Sequence, residues 1–282
     1  MFNFNNRYIL APLILVFLAA CGSEPRSAGA QDLSGMFHRP KEEFAGRAQL
    51  PKRPMRTFST EDPARILVIG DSLAQGFGIF LDKRVKERKL TAVVTNRGRT
   101  STGLARDDFY NWPAEFAAMA PTYRPDIIVA HFGANDNQTI IRSSGRVGQS
   151  SDEWNATYRD QIQRILDTAA QYKAMVYLIG PAPDKGGSLN RHLSRINPLF
   201  QAEADEVQAV YFPLGPFSAG PNGEYVKVVA VNGKNTTIRS GDGSHFTGVG
   251  YYLVADKLLQ DMEGRMPDMF NTRPLELAGI IQ

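Results

Sequence analysis

The 282-residue sequence predicts an α/β protein, a three-layer α/β/α domain with a central parallel five-stranded sheet. Two observations support this fold class. Short apolar runs of strand length recur along the chain and alternate with longer segments whose apolar residues follow the helical period. The runs are almost continuously apolar, which is typical of parallel strands buried on both faces.

Five apolar runs account for the strands of the sheet. They are Arg65–Ile69, Thr91–Thr95, Ile127–His131, Met175–Ile179 and the weaker Ala209–Phe212. Two of the segments between and after these runs carry an apolar helical stripe, Trp154–Tyr172 and Gly248–Met262. A strand, a crossover helix and a further strand therefore repeat along the chain.

One segment departs from this alternation. Residues Tyr225–Val231 and Lys234–Arg239 are separated by Asn232-Gly233. This dipeptide between two strand-like runs is the signature of a β-hairpin with a type I′ turn. The sequence therefore predicts a hairpin inserted late in the domain.

Composition and charge bound the possible functions. Hydrophobic residues make up 43% of the chain and charged residues 22%, as in an ordinary folded domain. The net charge is +3, but residues 61–282 carry 24 basic and 25 acidic groups. A balanced body of this kind argues against a nucleic-acid-binding protein.

The N-terminal region predicts export and lipid anchoring. Tyr8–Ala20 is apolar but too short to span a bilayer, and it ends in Leu18-Ala19-Ala20-Cys21. This tetrapeptide resembles the bacterial lipobox, whose cysteine is acylated and anchors the mature protein in the membrane. The alternative is a spare thiol in an ordinary signal, but Cys21 is the chain's one cysteine and stands at the cleavage point.

This interpretation divides the chain into three parts. Residues 1–20 form the signal peptide, residues 21–60 the lipidated cysteine and a flexible tether, and residues 61–282 the folded domain. The tether is predicted from its Ser, Gly, Pro and charged residues, which show no sustained period. The expected location is the bacterial periplasm; the lipobox resemblance, with Gly22 after the cysteine, implies the outer rather than the inner membrane.

Ser72 is the candidate nucleophile. It stands in Gly70-Asp71-Ser72-Leu73, directly after the first strand, where a parallel sheet presents side chains to a crevice at its carboxyl edge. Taken alone, the position equally fits a serine that caps a helix.

A serine needs a base to remove its proton, and the chain has four histidines. His38 lies in the tether, His131 ends an apolar strand, and His192 has helix-surface neighbours. His245 has a carboxylate at suitable spacing in Asp242-Gly243-Ser244-His245. An aspartate three residues earlier can orient the imidazole, which predicts a Ser72–His245–Asp242 triad and no metal site.

Asn135, in Gly133-Ala134-Asn135-Asp136, follows the third strand, which adjoins the first in a doubly wound sheet. Its amide is therefore a candidate donor to the oxyanion formed when the serine attacks a carbonyl. The alternative is ordinary turn chemistry of an Asn-Asp-Asn segment.

Together these blocks resemble the SGNH (GDSL-type) hydrolases over residues 65–262. The resemblance implies a flavodoxin-like sheet in the order 2-1-3-4-5 and no cofactor. It also implies an oxyanion hole formed by the Ser72 N–H, a glycine N–H from the loop after the second strand, and the Asn135 side chain. In that loop Gly103 is chosen, with Ser101 and Gly98 as alternatives, because Ser101 stands where counting from Asn96 expects the glycine.

The predicted function is a serine esterase that removes ester groups, O-acetyl above all, from cell-envelope or exported polysaccharide. Placement at the envelope and the polar rim loops Gln138–Asp152 and Gly215–Ser240 favour an acylated carbohydrate over a long acyl chain. An O-acetyltransferase with the same triad and an idle polysaccharide-binding lipoprotein are the alternatives. The expected assembly is a monomer without a nucleic-acid partner.

Overall fold

The computed structural model describes residues 46–142, 145–149 and 151–270. Their strands are β1 Ala64–Gly70, β2 Ala92–Asn96, β3 Ile127–His131, β4 Ile140–Arg142, β5 Gly145–Val147, β6 Met175–Gly180, β7 Val210–Pro213, β8 Val228–Val231 and β9 Lys234–Thr237. Their helices are α1 Ser72–Glu87, α2 Trp112–Tyr123, α3 Asp152–Gln171, α4 Gly187–Val207, α5 Gly215–Ser218, α6 Gly248–Arg265 and α7 Pro267–Phe270.

The central sheet has the order β2-β1-β3-β6-β7, and all of its strand pairs are parallel. Counted among the sheet strands alone, this is the predicted order 2-1-3-4-5. The predicted fold class is therefore confirmed, with strand limits that differ from the predicted ones by one residue at most.

The sheet is buried on both faces because its strands carry apolar residues at consecutive positions. In β1, Leu67 and Ile69 join a core with α2, α3 and α4, whereas Ile66 and Val68 join a second core with α1 and α6. A continuous apolar run in the sequence thus becomes two separate cores, one on each side of the sheet.

Two hairpins lie outside the central sheet. The predicted hairpin is formed by β8 and β9, and both turn residues have positive φ, 49° at Asn232 and 75° at Gly233, as a type I′ turn requires. The second, β4 and β5, lies within the segment Gln138–Asp152 that the sequence predicted as a loop.

Part of the predicted tether packs on the domain. Leu50 is buried, and its N–H donates to the carbonyl of Val207 at 2.8 Å. Arg56 donates through Nε and Nη2 to the Asp126 carboxylate at 2.9 and 2.7 Å. Packed structure therefore begins before residue 60. The signal peptide, Cys21 and His38 lie outside the described residues. No helix in the described part of the chain is long and apolar enough to cross a membrane.

Candidate active site

The carboxyl edge of the sheet carries the candidate nucleophile. Gly70 ends β1 with φ 131°, and a Cβ at this position would lie 1.8 Å from the carbonyl oxygen of His131. Glycine is therefore required for the chain to pass so close to β3. This close passage places Ser72 at the first position of α1, beside the end of β3.

Asp71 fixes the turn that presents Ser72. Its Oδ1 atom accepts hydrogen bonds from the N–H groups of Leu73 at 2.9 Å and Ala74 at 3.2 Å, which makes Asp71 the N-cap of α1. The same oxygen lies 3.0 Å from Nδ1 of His131, and both side chains are fully buried. The helix cap is thus Asp71 rather than Ser72, whose hydroxyl is left available.

Three predicted residues meet at this edge. The Oγ atom of Ser72 lies 2.8 Å from Nε2 of His245, and Nδ1 of the same ring lies 2.8 Å from Oδ2 of Asp242. One ring nitrogen of His245 therefore contacts a hydroxyl and the other contacts a carboxylate. This is the arrangement in which an imidazole removes a serine proton while a carboxylate orients it.

Asp242 is held in its ionised form. Partial burial acts to raise its pKa, but the hydrogen bonds from Ser240 Oγ, His245 and the N–H of Ser244 outweigh burial and hold the pKa well below its ordinary value. The distances to its Oδ1 atom are 2.6 Å from Ser240 Oγ, 3.0 Å from the N–H of His245 and 2.9 Å from that of Ser244. A carboxylate held in this way stabilises a positively charged imidazole.

The site is open. The His245 side chain is 41% exposed and that of Asp242 53% exposed. Both side chains are therefore accessible from solvent.

Asn135 contacts the loop after β2, because its Nδ2 donates to the carbonyl of Thr102 at 2.8 Å. The neighbouring Asp136 is fully buried and accepts from the N–H of Ala105 at 2.9 Å and from the Tyr158 hydroxyl at 2.8 Å. Burial raises the pKa of Asp136 to about 6 against these hydrogen bonds. Asp136 thus joins this loop to the loop after β3.

The three candidates for the second oxyanion donor differ in their surroundings. Gly103 is buried, and a Cβ on it would lie 2.1 Å from Oδ1 of Asp136. The N–H of Gly98 already donates to Oδ1 of Asn96 at 3.0 Å. Ser101 is exposed and has φ 60°, the left-handed conformation that favours glycine. Ser101 therefore has the backbone geometry expected of the missing glycine, and Gly103 allows the close packing of Asp136.

Two buried residues that the sequence did not indicate support the turn with Asp242 and His245. Arg239 is 2% exposed, and its Nη2 donates to the carbonyls of Gly243 and Ser244, each at 3.0 Å. The Oγ atom of Ser244 donates to the Asp184 carboxylate. The sequence indicated this role of Arg239 only weakly, because Arg239 is simply the last residue of a predicted hairpin strand.

The other histidines of the described chain take structural positions. His131 lies in the core, as its strand predicted. His192 is 3% exposed, so its predicted helix-surface setting is wrong, and burial lowers its pKa to about 4 together with the charge of Arg195. Its ring stacks edge-on against Trp154, which the helical pattern alone did not reveal. No group of three or more potential metal ligands occurs in the residues that the structure describes.

The fold and motifs define the class of protein. A GDSL-like lipase from Bacteroides thetaiotaomicron VPI-5482 superposes with a TM-score of 0.51 at 16% identity, covering 82% of this chain and 94% of that one. A proposed acylhydrolase from Bacteroides fragilis NCTC 9343 superposes with a TM-score of 0.52 at 15% identity, covering 86% and 100%. The chain therefore has the SGNH (GDSL-type) fold, as the sequence motifs implied.

The particular family follows from sequence. Residues 65–261 match the family described as "Protein of unknown function (DUF459)", and the chain belongs to it. No curated protein is significantly similar to the chain in sequence.

Proposed function

We propose that this protein is a serine ester hydrolase. The observation that carries the proposal is the continuous hydrogen-bonded series from Ser72 through His245 to Asp242 at an open edge of the sheet. The superposed lipase and acylhydrolase folds support ester chemistry. In this chain Ser72 and Asn135 follow the carboxyl ends of β1 and β3.

The reaction proceeds in two halves. His245 Nε2 accepts the Ser72 proton as Oγ attacks the ester carbonyl, and the protonated imidazole then donates to the departing alcohol. In the second half, water loses a proton to His245 Nε2 and attacks the acyl-enzyme. The acid is released as the imidazolium returns the proton to Ser72 Oγ. Asp242 remains ionised throughout and stabilises the imidazolium, in agreement with its lowered pKa.

The oxyanion is stabilised by three donors in this proposal. They are the N–H of Ser72, the N–H of Ser101 in place of the predicted Gly103, and the amide of Asn135. Ser101 is preferred to Gly103 because Ser101 is an exposed residue, whereas Gly103 is buried against Asp136.

The substrate that we propose is an O-acetyl ester on envelope polysaccharide. The exposure of His245 and Asp242 suits a polymer, which must approach with its neighbouring sugars attached. A fluorophosphonate probe followed by mass mapping tests the nucleophile, with labelling at Ser72 that is lost in Ser72→Ala and His245→Ala. No labelling of the folded wild type would contradict the enzyme.

Acetate release from acetylated polysaccharides then tests the substrate. Release that depends on Ser72 supports the acetylesterase, and acetyl transfer to an added sugar in place of release would assign the transferase instead. Esters of longer acids cleaved in preference to acetyl would overturn the acetyl assignment.

We further propose that Cys21 is lipidated and holds the protein at the periplasmic side of the outer membrane. The support is the Leu18–Cys21 sequence. Labelling of cells with radioactive palmitate tests it: incorporation into the wild type and none into Cys21→Ser is expected. Membrane fractionation then distinguishes the outer from the inner membrane.

A further inference from the structure

Two exposed cations lie beside the segments that carry Ser72 and His245. The backbone N–H of Arg99 donates to the carbonyl of Gly70 at 2.8 Å, two residues before the nucleophile. On the other side, a Cβ on Gly243 would lie 2.4 Å from Cβ of Lys185. Arg99 follows β2 and Lys185 follows β6, and these two strands lie on opposite sides of β1 and β3 in the sheet.

Within the described part of the chain, no carboxylate forms an ion pair with Arg99 or Lys185. The guanidinium of Arg99 lies instead 4.4 Å from the ring centroid of Tyr110. An aromatic face supports the planar guanidinium and leaves its charge available. The neighbouring Arg97 has a similar support, 5.8 Å from the ring centroid of Tyr123.

Arginines at the opposite, amino edge of the sheet are paired inside the fold. Arg56 and Arg65 share the carboxylate of Asp126, with N–O distances of 2.7 and 3.0 Å. The pairing lowers the pKa of that carboxyl against the effect of its burial. Arg97 and Arg99 thus differ from these arginines in leaving full positive charge at the surface.

Two carboxylates of the loops around His245 are already engaged. Asp242 accepts from Ser240, Ser244 and His245, and Asp184 accepts from Ser244 Oγ and the N–H of Gly186. The Asp242 and Asp184 carboxylates are therefore occupied within the fold, whereas Arg99 and Lys185 are exposed on the neighbouring loops. Such an arrangement attracts anions and fixes their register beside the reacting bond.

We propose that the ester substrate is carried on an anionic polysaccharide, whose carboxylate groups contact Arg99 on the nucleophile side and Lys185 on the histidine side. This inference rests on the proposed ester hydrolase. His245 and Asp242 are about half exposed, so the sugars attached to the ester can extend into solvent.

The experiment compares acetate release from O-acetylated polygalacturonate and from the same polymer after methyl esterification of its carboxylates. Both polymers carry the same backbone and acetyl groups, and they differ in charge. We expect kcat/KM to be about tenfold higher for the anionic polymer at low salt and the preference to shrink as salt rises. The double variant Arg99→Gln, Lys185→Gln reduces the preference to about twofold.

Two control variants isolate charge. Lys257→Gln removes an exposed cation from the distant part of α6 and leaves the preference unchanged. Arg99→Lys keeps the charge while losing the planar stack on Tyr110, and it retains most of the preference. Thermal unfolding confirms that each variant is folded.

Three results would each contradict a different part of the proposal. Equal, Ser72-dependent acetate release from both polymers overturns the anionic substrate and leaves the hydrolase standing. A preference that survives in the double variant overturns the roles of Arg99 and Lys185. Release that is unchanged in Ser72→Ala overturns the proposed function itself.

Discussion

Two aspartate–histidine pairs lie on either side of Ser72, and they differ mainly in their access to solvent. In the Asp242–His245 pair both side chains are about half exposed, and the second ring nitrogen contacts the serine hydroxyl. In the Asp71–His131 pair both are fully buried, and Nε2 of His131 has no partner in the described residues. The same two residue types thus form a site in one place and a structural support in the other.

The comparison shows that geometry within a pair does not determine its chemistry. Asp71 uses its carboxylate to cap α1, so His131 is one of three contacts to one oxygen. Asp242 uses one oxygen for the turn and the other for the ring. The hydroxyl beside His245 and the path to solvent are what the buried pair lacks.

The largest expected difference is between the two histidines. His245→Ala removes the base and should lower kcat by about 10⁴-fold or more, with the stability little changed. His131→Ala should keep activity within about tenfold while the folded enzyme is measured, and should cost about 2–4 kcal/mol in unfolding free energy. Steady-state kinetics and urea unfolding of both variants measure the two effects. Comparable losses of kcat in two folded variants would erase the distinction.

The two aspartates sharpen the comparison further. Asp242→Asn should lower kcat by about 10³–10⁴-fold, because an amide no longer stabilises the imidazolium or fixes its tautomer. Asp71→Asn should cost less than about tenfold, since asparagine is also a good N-cap and Asp71 Oδ2 has no partner among the described groups. Kinetics at one pH, with unfolding midpoints as the control, tests both. A larger loss in Asp71→Asn would contradict the assignment.

The next prediction concerns Asn135 as a donor to the oxyanion. Asn135→Ala should lower kcat by about 10²–10³-fold with little change in KM, because the oxyanion forms in the transition state. Asn137→Ala, whose amide bonds to Ser188 at the surface, is the matched control and should stay near wild type. If KM rises while kcat holds, Asn135 contributes to ground-state binding instead.

The smallest effect concerns the buried Asp136, whose pKa burial raises to about 6. The folded-state pKa of Asp136 lies above its unfolded-state value. The contribution of Asp136 to the free energy of unfolding is therefore complete below about pH 4 and is lost as the pH rises through about 6. Wild type should therefore lose on the order of 2 kcal/mol relative to Asp136→Asn between pH 4.5 and pH 7.5. Urea unfolding of both proteins at the two pH values measures this. A constant difference would show that Asp136 does not titrate in this range.

Several features were predictable because they depend on local patterns. The strands follow from continuous apolar runs, and the β8–β9 hairpin follows from Asn232-Gly233, whose turn conformation few other residues adopt. Ser72, Asp242 and His245 were identifiable because each lies in a motif at a predicted strand end. The structure brings the three side chains into contact, and their catalytic role remains the proposal to be tested.

Other features depend on contacts between distant segments. Leu50 lies in a segment whose composition suggests a tether, yet it is buried and bonded to Val207 at the end of α4. Arg239 supports the turn with His245 from inside the core. Neither position carries a local pattern, because burial is a property of the partner surface as much as of the residue.

By itself the sequence determined where the strands, the helices and the tight Asn-Gly turn lie, and which residues form the motifs. Each of these features depends on backbone preferences or on periodic burial within a short segment. Tertiary structure alone decided which of two aspartate–histidine pairs faces solvent and which of Gly98, Ser101 and Gly103 is exposed. Those outcomes arise where loops from separate strands meet at one edge, and the available space there is set by all of them together.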